Sequence, residues 1–274
     1  MTATDDQPVP TKVLTVEGAQ LPTYERGDGA PIIMINGLGA SAQDWGPLTD
    51  LLSRSARVIT FDNRGAGRSV AAKEPFTLER MAQDAVAVLD AYGFKSATFI
   101  GTSMGGMIAQ LVALKRPDVV ERLVLIATHS GAKSATPSTP EARAAMFPEV
   151  KLPREELVRR QFSVYVAPSF RTDRRDAFER MLTVRFANLI PLEMWQLQLQ
   201  AVLGSERADA LGAIRAPTLI IHGRVDPLVP FANGEMLRDL IPGAQLIALD
   251  DCGHIVNWEK PDEAAAAIAE FLTV

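Results

Sequence analysis

Cysteine is nearly absent. The 274 residues hold one, Cys252, so no disulfide can close within the chain. Histidine is scarce: His129, His222 and His254 are all there are. With no Cys-x-x-Cys pair beside them, a zinc site of the usual ligand spacing is not expected, nor is any other metal or cofactor. Positive charge is not in excess, with 28 Lys+Arg against 33 Asp+Glu and a net charge of −5. That balance leaves no electrostatic footprint for nucleic acid. No run reaches the ~18 apolar residues of a membrane span. The N-terminal MTATDDQPVP has neither the basic nor the apolar region of a leader peptide. A soluble, cytoplasmic protein is expected, with a small molecule and not nucleic acid or membrane as its partner.

What is present is ordinary in bulk and specific in pattern. Hydrophobic residues make up 47% and charged residues 22%, enough to bury a large core. Apolar runs recur at 31–36 (PIIMIN), 56–62, 96–101, 121–128, 216–223 and 244–250. They are continuous instead of alternating, as strands buried on both faces of a parallel sheet are. KVLTVEG and QLPTYER alternate and suggest an antiparallel edge hairpin. Helical patterns at 42–54, 77–94, 231–243 and 261–272 lie between the runs; Thr77 is a good N-cap and Pro261 suits a first helical position. The expected fold is α/β: a mostly parallel, doubly wound sheet of about eight strands. The alternation breaks after the sixth strand. Residues 131–213 open with a proline-rich, loop-like stretch and continue with helical patterns. The expected organisation is a core of 1–130 and 214–274, with a helical cap of 131–213 over the carboxyl edge of the sheet.

The chemistry starts at GTSMGG (101–106), where a strand run meets a helical one. Glycines two residues before and after Ser103 remove side chains that would collide in a sharp strand-to-helix bend, leaving the hydroxyl exposed above the sheet. Alone the pattern is weak; between a strand and a helix it reads as a nucleophile elbow. A serine hydroxyl needs a base, and the base an orienting acid. His254, in DCGHIVNWEKP after the last strand, reaches the same sheet edge. His222, inside TLIIHG, reads as a packed strand-end residue, and His129 as a candidate for the cavity wall. Asp226, in GRVDPLVP, precedes His254 as the order Ser-Asp-His requires. Asp250 and Asp251 read as turn residues. Two N–H donors are needed for an oxyanion: Met104 supplies one, and Leu38, between Gly37 and Gly39, the other. The expected pocket lining is Leu38, Trp45, Met104, His129, Phe147, Phe162, Met194 and Trp195, which suits a hydrophobic or aromatic ester. Arg159-Arg160 and Arg174-Arg175 read as solvated helix faces, with attraction of a substrate carboxylate as the alternative.

With NGLG, FDNRGAGRS (61–69), GTSMGG, GRVDPLVP and GHIVNWEKP assembled, the chain resembles the α/β-hydrolase superfamily over nearly its whole length outside the cap. FDNRGAGRS reads as structural, with Asp62 and Arg64 bracing a tight loop. Asn36 with the following Leu-Gly, GTSMGGMIAQ, Asn257 and Glu259 are most similar to the 3-oxoadipate enol-lactonase and small carboxylesterase group. The resemblance implies a serine hydrolase that cleaves an ester or lactone through an acyl-enzyme. A C–C bond hydrolase of ring-cleavage products, a cofactor-free perhydrolase and a ligand receptor that keeps the triad stay open.

Overall fold

The structure, a computed structural model, describes residues 8–273. The stretch read above for a leader lies outside them as far as Gln7. The strands are β1 (Lys12–Val16), β2 (Ala19–Arg26), β3 (Ala30–Ile35), β4 (Ala56–Phe61), β5 (Val70–Ala71), β6 (Ala97–Thr102), β7 (Val120–Ile126), β8 (Thr218–Gly223) and β9 (Gln245–Leu249). They form one sheet in the order β1-β2-β4-β3-β6-β7-β8-β9, with β5 beside β2. β1, β2 and β4 pair antiparallel; every neighbour pair from β4 to β9 is parallel. The strands that read as continuous apolar runs are the central ones, and β8 is buried at every residue. The two-residue β5, Val-Ala, is too short to announce itself. Because it counts as a strand, the insertion follows the seventh strand and not the sixth.

The helices are α1 (Pro47–Leu52), α2 (Leu78–Ala91), α3 (Met104–Lys115), α4 (Pro140–Met146), α5 (Arg154–Tyr165), α6 (Pro168–Asp173), α7 (Arg175–Ala187), α8 (Leu192–Leu203), α9 (Ala232–Leu240), α10 (Val256–Glu259) and α11 (Pro261–Thr273). α2, α3 and α9 cover one face of the sheet, burying Leu78, Met81, Met107, Ile108 and Leu237 against Ile33, Ile35 and Phe99. α1 and α11 cover the other, with Leu48, Leu52, Ile268 and Phe271 against Ile32, Val124 and Ile221. α2 starts where Thr77 caps it, its side chain accepting the Arg80 N–H. The helix expected over 42–54 is broken. A 3-10 turn spans Ala42–Trp45, Gly46 takes φ +52°, and α1 follows. The break has a packing cause: a Cβ on Gly46 would lie 2.4 Å from the Trp258 ring.

β3 has β4 on one side and β6 on the other, so the order of the sheet reverses beside it. In open α/β sheets ligands bind outside the carboxyl ends of strands at such a reversal. Between β7 and β8 the chain makes five helices, α4 to α8. The first lies inside the stretch that reads as a loop, with Thr139 as its cap and Pro140 at its first position. The insertion has a small core of its own, Val166, Phe170, Phe178, Met181 and Leu182, joined by Trp258 from α10. Its two ends are tied together. Gly131 bridges Glu206, and Arg207, 5% exposed, donates to Gln110 Oε1 on α3 (2.8 Å), Ser205 Oγ (2.9 Å) and the His129 carbonyl (3.3 Å).

Candidate active site

Ser103 stands between β6 and α3 with φ +53° and ψ −121°. A non-glycine residue held there costs of order 1–3 kcal/mol and persists only where its surroundings over-determine it. They do. Its N–H donates to the Ile126 carbonyl (2.9 Å), and its own carbonyl accepts the Thr128 hydroxyl (2.6 Å). The neighbouring glycines are required by contact: a Cβ on Gly101 would sit 2.2 Å from the Gly105 carbonyl oxygen, and one on Gly105 would sit 1.9 Å from that of Ile35.

Asp226 follows β8 and is 4% exposed. Its Oδ1 accepts the N–H groups of Leu228 (2.9 Å) and Val229 (2.8 Å), and its Oδ2 accepts from His254 Nδ1 at 2.7 Å. Burial pushes its carboxyl upward, but His254 and His222 outweigh this and hold it below the usual range. An ionised Asp226 only accepts, so Nδ1 of His254 carries the hydrogen and Nε2 keeps its lone pair. His222 is fully buried, as a packed strand residue, with Nε2 2.7 Å from the Val229 carbonyl and 3.6 Å from Asp226 Oδ2. Asp250 pairs with Arg224 at the surface and Asp251 accepts the Ser169 hydroxyl, so neither reaches His254.

Ser103 and His254 face one cavity of about 110 Å³. No hydrogen bond joins the Ser103 hydroxyl to the His254 ring among the described residues, a looseness usual in sites without substrate. Neither the Leu38 nor the Met104 N–H has a partner among the described residues. The loop carrying Leu38 is held from the insertion: Gln198 on α8 is fully buried, accepts the Gly39 N–H at 2.7 Å and donates to the Arg64 carbonyl at 3.0 Å. FDNRGAGRS is a brace. Asp62 accepts the N–H groups of Ala42 and Arg68 (2.7 and 2.9 Å), and Arg64 grips Asp84 through two nitrogens (2.7 and 2.8 Å).

Of the expected lining, Leu38, Phe162 and Trp195 face the cavity. Trp45 does not. It is fully buried beneath the site with Leu48 and Ile32, because the Gly46 break turns it into the core. Met194 is packed against Gly65, Ala66 and Ile190. Phe147 is 55% exposed and lies outside the lining, its ring 6.2 Å from that of Trp195 in an edge-on contact. His129 lies outside the lining; its carbonyl serves the Arg207 tie, and burial, then Arg207, lower its imidazole to about 4. Met104 lies outside the lining, its side chain packing in the core.

Among the lining residues that escaped the sequence reading are Tyr165, Arg185 and Trp258. Tyr165 Oη is buried without a partner, and its ring meets that of His254 edge-on at 6.4 Å. Arg185 is 8% exposed; its Nη1 is 3.5 Å from Asp44 Oδ1, its Nε has no partner, and its guanidinium lies 5.5 Å above the Phe162 ring. The available signal was spacing, since Arg185 follows the apolar Met181 by one helical turn. The paired arginines of the insertion face elsewhere: Arg159 binds Glu179 at the surface, and Arg174 the Glu259 carbonyl.

A reversal in a parallel sheet, a serine at a strained strand-to-helix bend and a buried Asp–His pair beside it define an α/β-hydrolase. The chain belongs to the alpha/beta hydrolase fold family, whose model matches residues 30–261. It is 31% identical over 242 residues to a poly(3-hydroxyalkanoate) depolymerase of Ectopseudomonas oleovorans, covering 88% of this chain and 84% of that one. It is 30% identical over 293 aligned positions to a 2-hydroxymuconate semialdehyde hydrolase of Pseudomonas sp. strain CF600, covering 99% and 97%. Among solved structures it is similar to the enol-lactonase of Burkholderia xenovorans LB400, with a TM-score of 0.83 and 25% identity over 96% of this chain and all of that one.

Proposed function

We propose that this protein is a serine hydrolase that cleaves a carboxylic ester or lactone through an acyl-enzyme, with Ser103 as nucleophile, His254 as base and Asp226 as the acid that orients it. The observation that carries the reading is the buried 2.7 Å contact between His254 Nδ1 and Asp226 Oδ2, with His254 facing the cavity of Ser103. Ser103 Oγ attacks the carbonyl carbon while its proton passes to His254 Nε2. The unpartnered N–H groups of Leu38 and Met104 receive the oxyanion. The tetrahedral species collapses, the C–O bond to the leaving group breaks, and His254 returns the proton to the departing oxygen. Water then repeats the sequence on the acyl-enzyme and frees the acid. In a lactone the leaving oxygen stays tethered to the acyl group.

Helices α4 to α8 act as the cap and choose the substrate. A cavity of about 150 Å³ admits benzene, so one of about 110 Å³ suits a short or compact acyl group. Tyr165 Oη and Arg185 Nε are buried donors without partners, and such groups call for an acceptor. The favoured substrate therefore carries a second oxygen function, an oxo group or carboxylate, on its acyl part. The same cation would receive the carboxylate of a ring-cleavage dienoate, which is the second reading. The similarity to a poly(3-hydroxyalkanoate) depolymerase, an enol-lactonase and a 2-hydroxymuconate semialdehyde hydrolase supports keeping both readings.

The test is a fluorophosphonate followed by peptide mapping. It should label Ser103 alone, and Ser103→Ala should lose at least ~10³-fold in kcat without a fall in melting temperature. Wild-type turnover in that variant would sink the reading. A panel of p-nitrophenyl esters, lactones and dienoates separates the two substrate classes.

A further inference from the structure

Glu259 is a buried carboxylate with no role in the chemistry above. It is 2% exposed, and no cationic side chain among the described residues pairs with it. Its Oε2 accepts the N–H groups of Ala167 (2.7 Å) and Gly253 (2.8 Å), and its Oε1 accepts that of Ile255 (2.9 Å). Gly253 and Ile255 flank His254 in the chain. Ala167 belongs to the insertion, between α5 and α6. The His254 N–H itself donates to the Tyr165 carbonyl at 2.8 Å. The two segments touch so closely that a Cβ on Gly253 would stand 2.3 Å from the Tyr165 carbonyl oxygen.

We infer that Glu259 is a positioning residue: its carboxylate fixes the loop of His254 from both sides and fastens it to the insertion, so that the aim of the base depends on the cap. The inference rests on the reading of His254 as the base. The fastening is complete only when both oxygens of Glu259 are free to accept. A protonated carboxyl has one acceptor site fewer, its hydroxyl oxygen accepts weakly, and its O–H has no acceptor among these three N–H donors, so its grip on them loosens. That state is within reach near neutrality. Burial pushes the Glu259 carboxyl up to about 7, against the pull of the three N–H groups, and the charge of Asp226 adds to the rise. The other groups facing this place are Cys252 and His254 on the same loop, Tyr165 and Arg174 from the insertion, and Lys260 and Glu263 at the start of α11. Arg174 Nη1 is spent on the backbone carbonyl of Glu259, at 2.7 Å.

The experiment follows the rate at which a fluorophosphonate labels Ser103 between pH 5 and 9, in the full-length protein and in Glu259→Gln, with melting temperatures alongside. The reagent needs the base but no knowledge of the substrate. The wild type should lose reactivity toward acid as Glu259 takes up its proton near pH 7, in addition to the loss that comes from the base. Glu259→Gln should lack the step that belongs to Glu259 and label about 10²-fold more slowly at its plateau, the cost of a small misplacement. A lowered melting temperature with the wild-type profile retained would mean that Glu259 only holds the fold, and overturns the inference. If the variant does not fold, the wild-type profile decides: two steps support the inference, and a single step overturns it. Absence of Ser103 labelling at every pH is a different result, because it removes the base and the inference together.

Discussion

The edge of the sheet and the helical insertion hold their residues by different means. At the edge, Ser103, Asp226 and His254 sit on short connections whose backbone is pinned by buried hydrogen bonds and by glycines in contact with main chain. Beneath them lie fully buried Ile, Leu and Trp side chains, each worth ~2–5 kcal/mol against truncation to alanine. The insertion is built more lightly. Of α4 to α8 only α4 has a side-chain cap, since Pro153, Ala167, Arg174 and Pro191 offer none. Its Arg159–Glu179 pair is nearly half exposed, where such pairs contribute ~0–1 kcal/mol. The division matches the work proposed for each region. Bond breaking needs atoms held to a fraction of an ångström, whereas selectivity needs a wall that can change residue by residue.

The contrast can be broken from either side. On the pinned edge, Asp226→Asn should lower kcat ~10³–10⁴-fold with near-unchanged KM, because the amide favours the wrong tautomer of His254. A silent Asp226→Asn would remove the edge from the chemistry. In the wall, Arg185→Gln should cut kcat/KM ~10²-fold for esters whose acyl part bears a carboxylate and leave neutral esters within a few-fold, as rates on matched substrate pairs would reveal. Equal losses on both would make Arg185 a support for Asp44 and not a contact for substrate. Trp195→Ala or Phe162→Ala should cost bulky acyl groups ~1–3 kcal/mol in kcat/KM, while acetates change least. A uniform loss would place these rings in the scaffold.

The smallest effect belongs to the junction of the two regions. Burial would raise the Glu206 carboxyl, but the N–H of Ala208, the hydroxyl and N–H of Ser134 and the N–H of Lys133 bring it down to about 2. Its folded value lies below its unfolded one, so its contribution is present above about pH 4.3 and fades as pH falls through 2. Glu206→Gln should melt slightly lower than wild type at pH 6, and the gap should close by about pH 2. Being exposed, Glu206 carries only a modest share of stability.

What could be read without coordinates follows the same boundary. The central strands announce themselves because burial on both faces leaves no polar position to confuse the pattern. Ser103, Asp226 and His254 were legible as candidates because the bend, the loop lengths and the chain order constrain them locally. The wall was harder. Whether Met194 or Trp195 faces the cavity depends on how α8 is rotated, and Gln198, one turn away, settles that by binding the Gly39 N–H. Trp45 was misplaced because the turn at Gly46 is demanded by Trp258, more than two hundred residues later. Arg185 was not singled out, because only the packing of α7 over the site brings it to the cavity.

The tie at Arg207 has a consequence for how such proteins change over generations. The chain leaves the sheet after β7 and comes back before β8 through one doorway, with Gly131 and Glu206 facing each other across it. To the sheet, everything between them is a closed loop, and lengthening a closed loop costs entropy only logarithmically. The length of chain beyond the doorway can therefore vary at little cost so long as Gln198 and Ala167 keep their bonds to the frame, while Gln110, on the helix that follows Ser103, holds exit and return together.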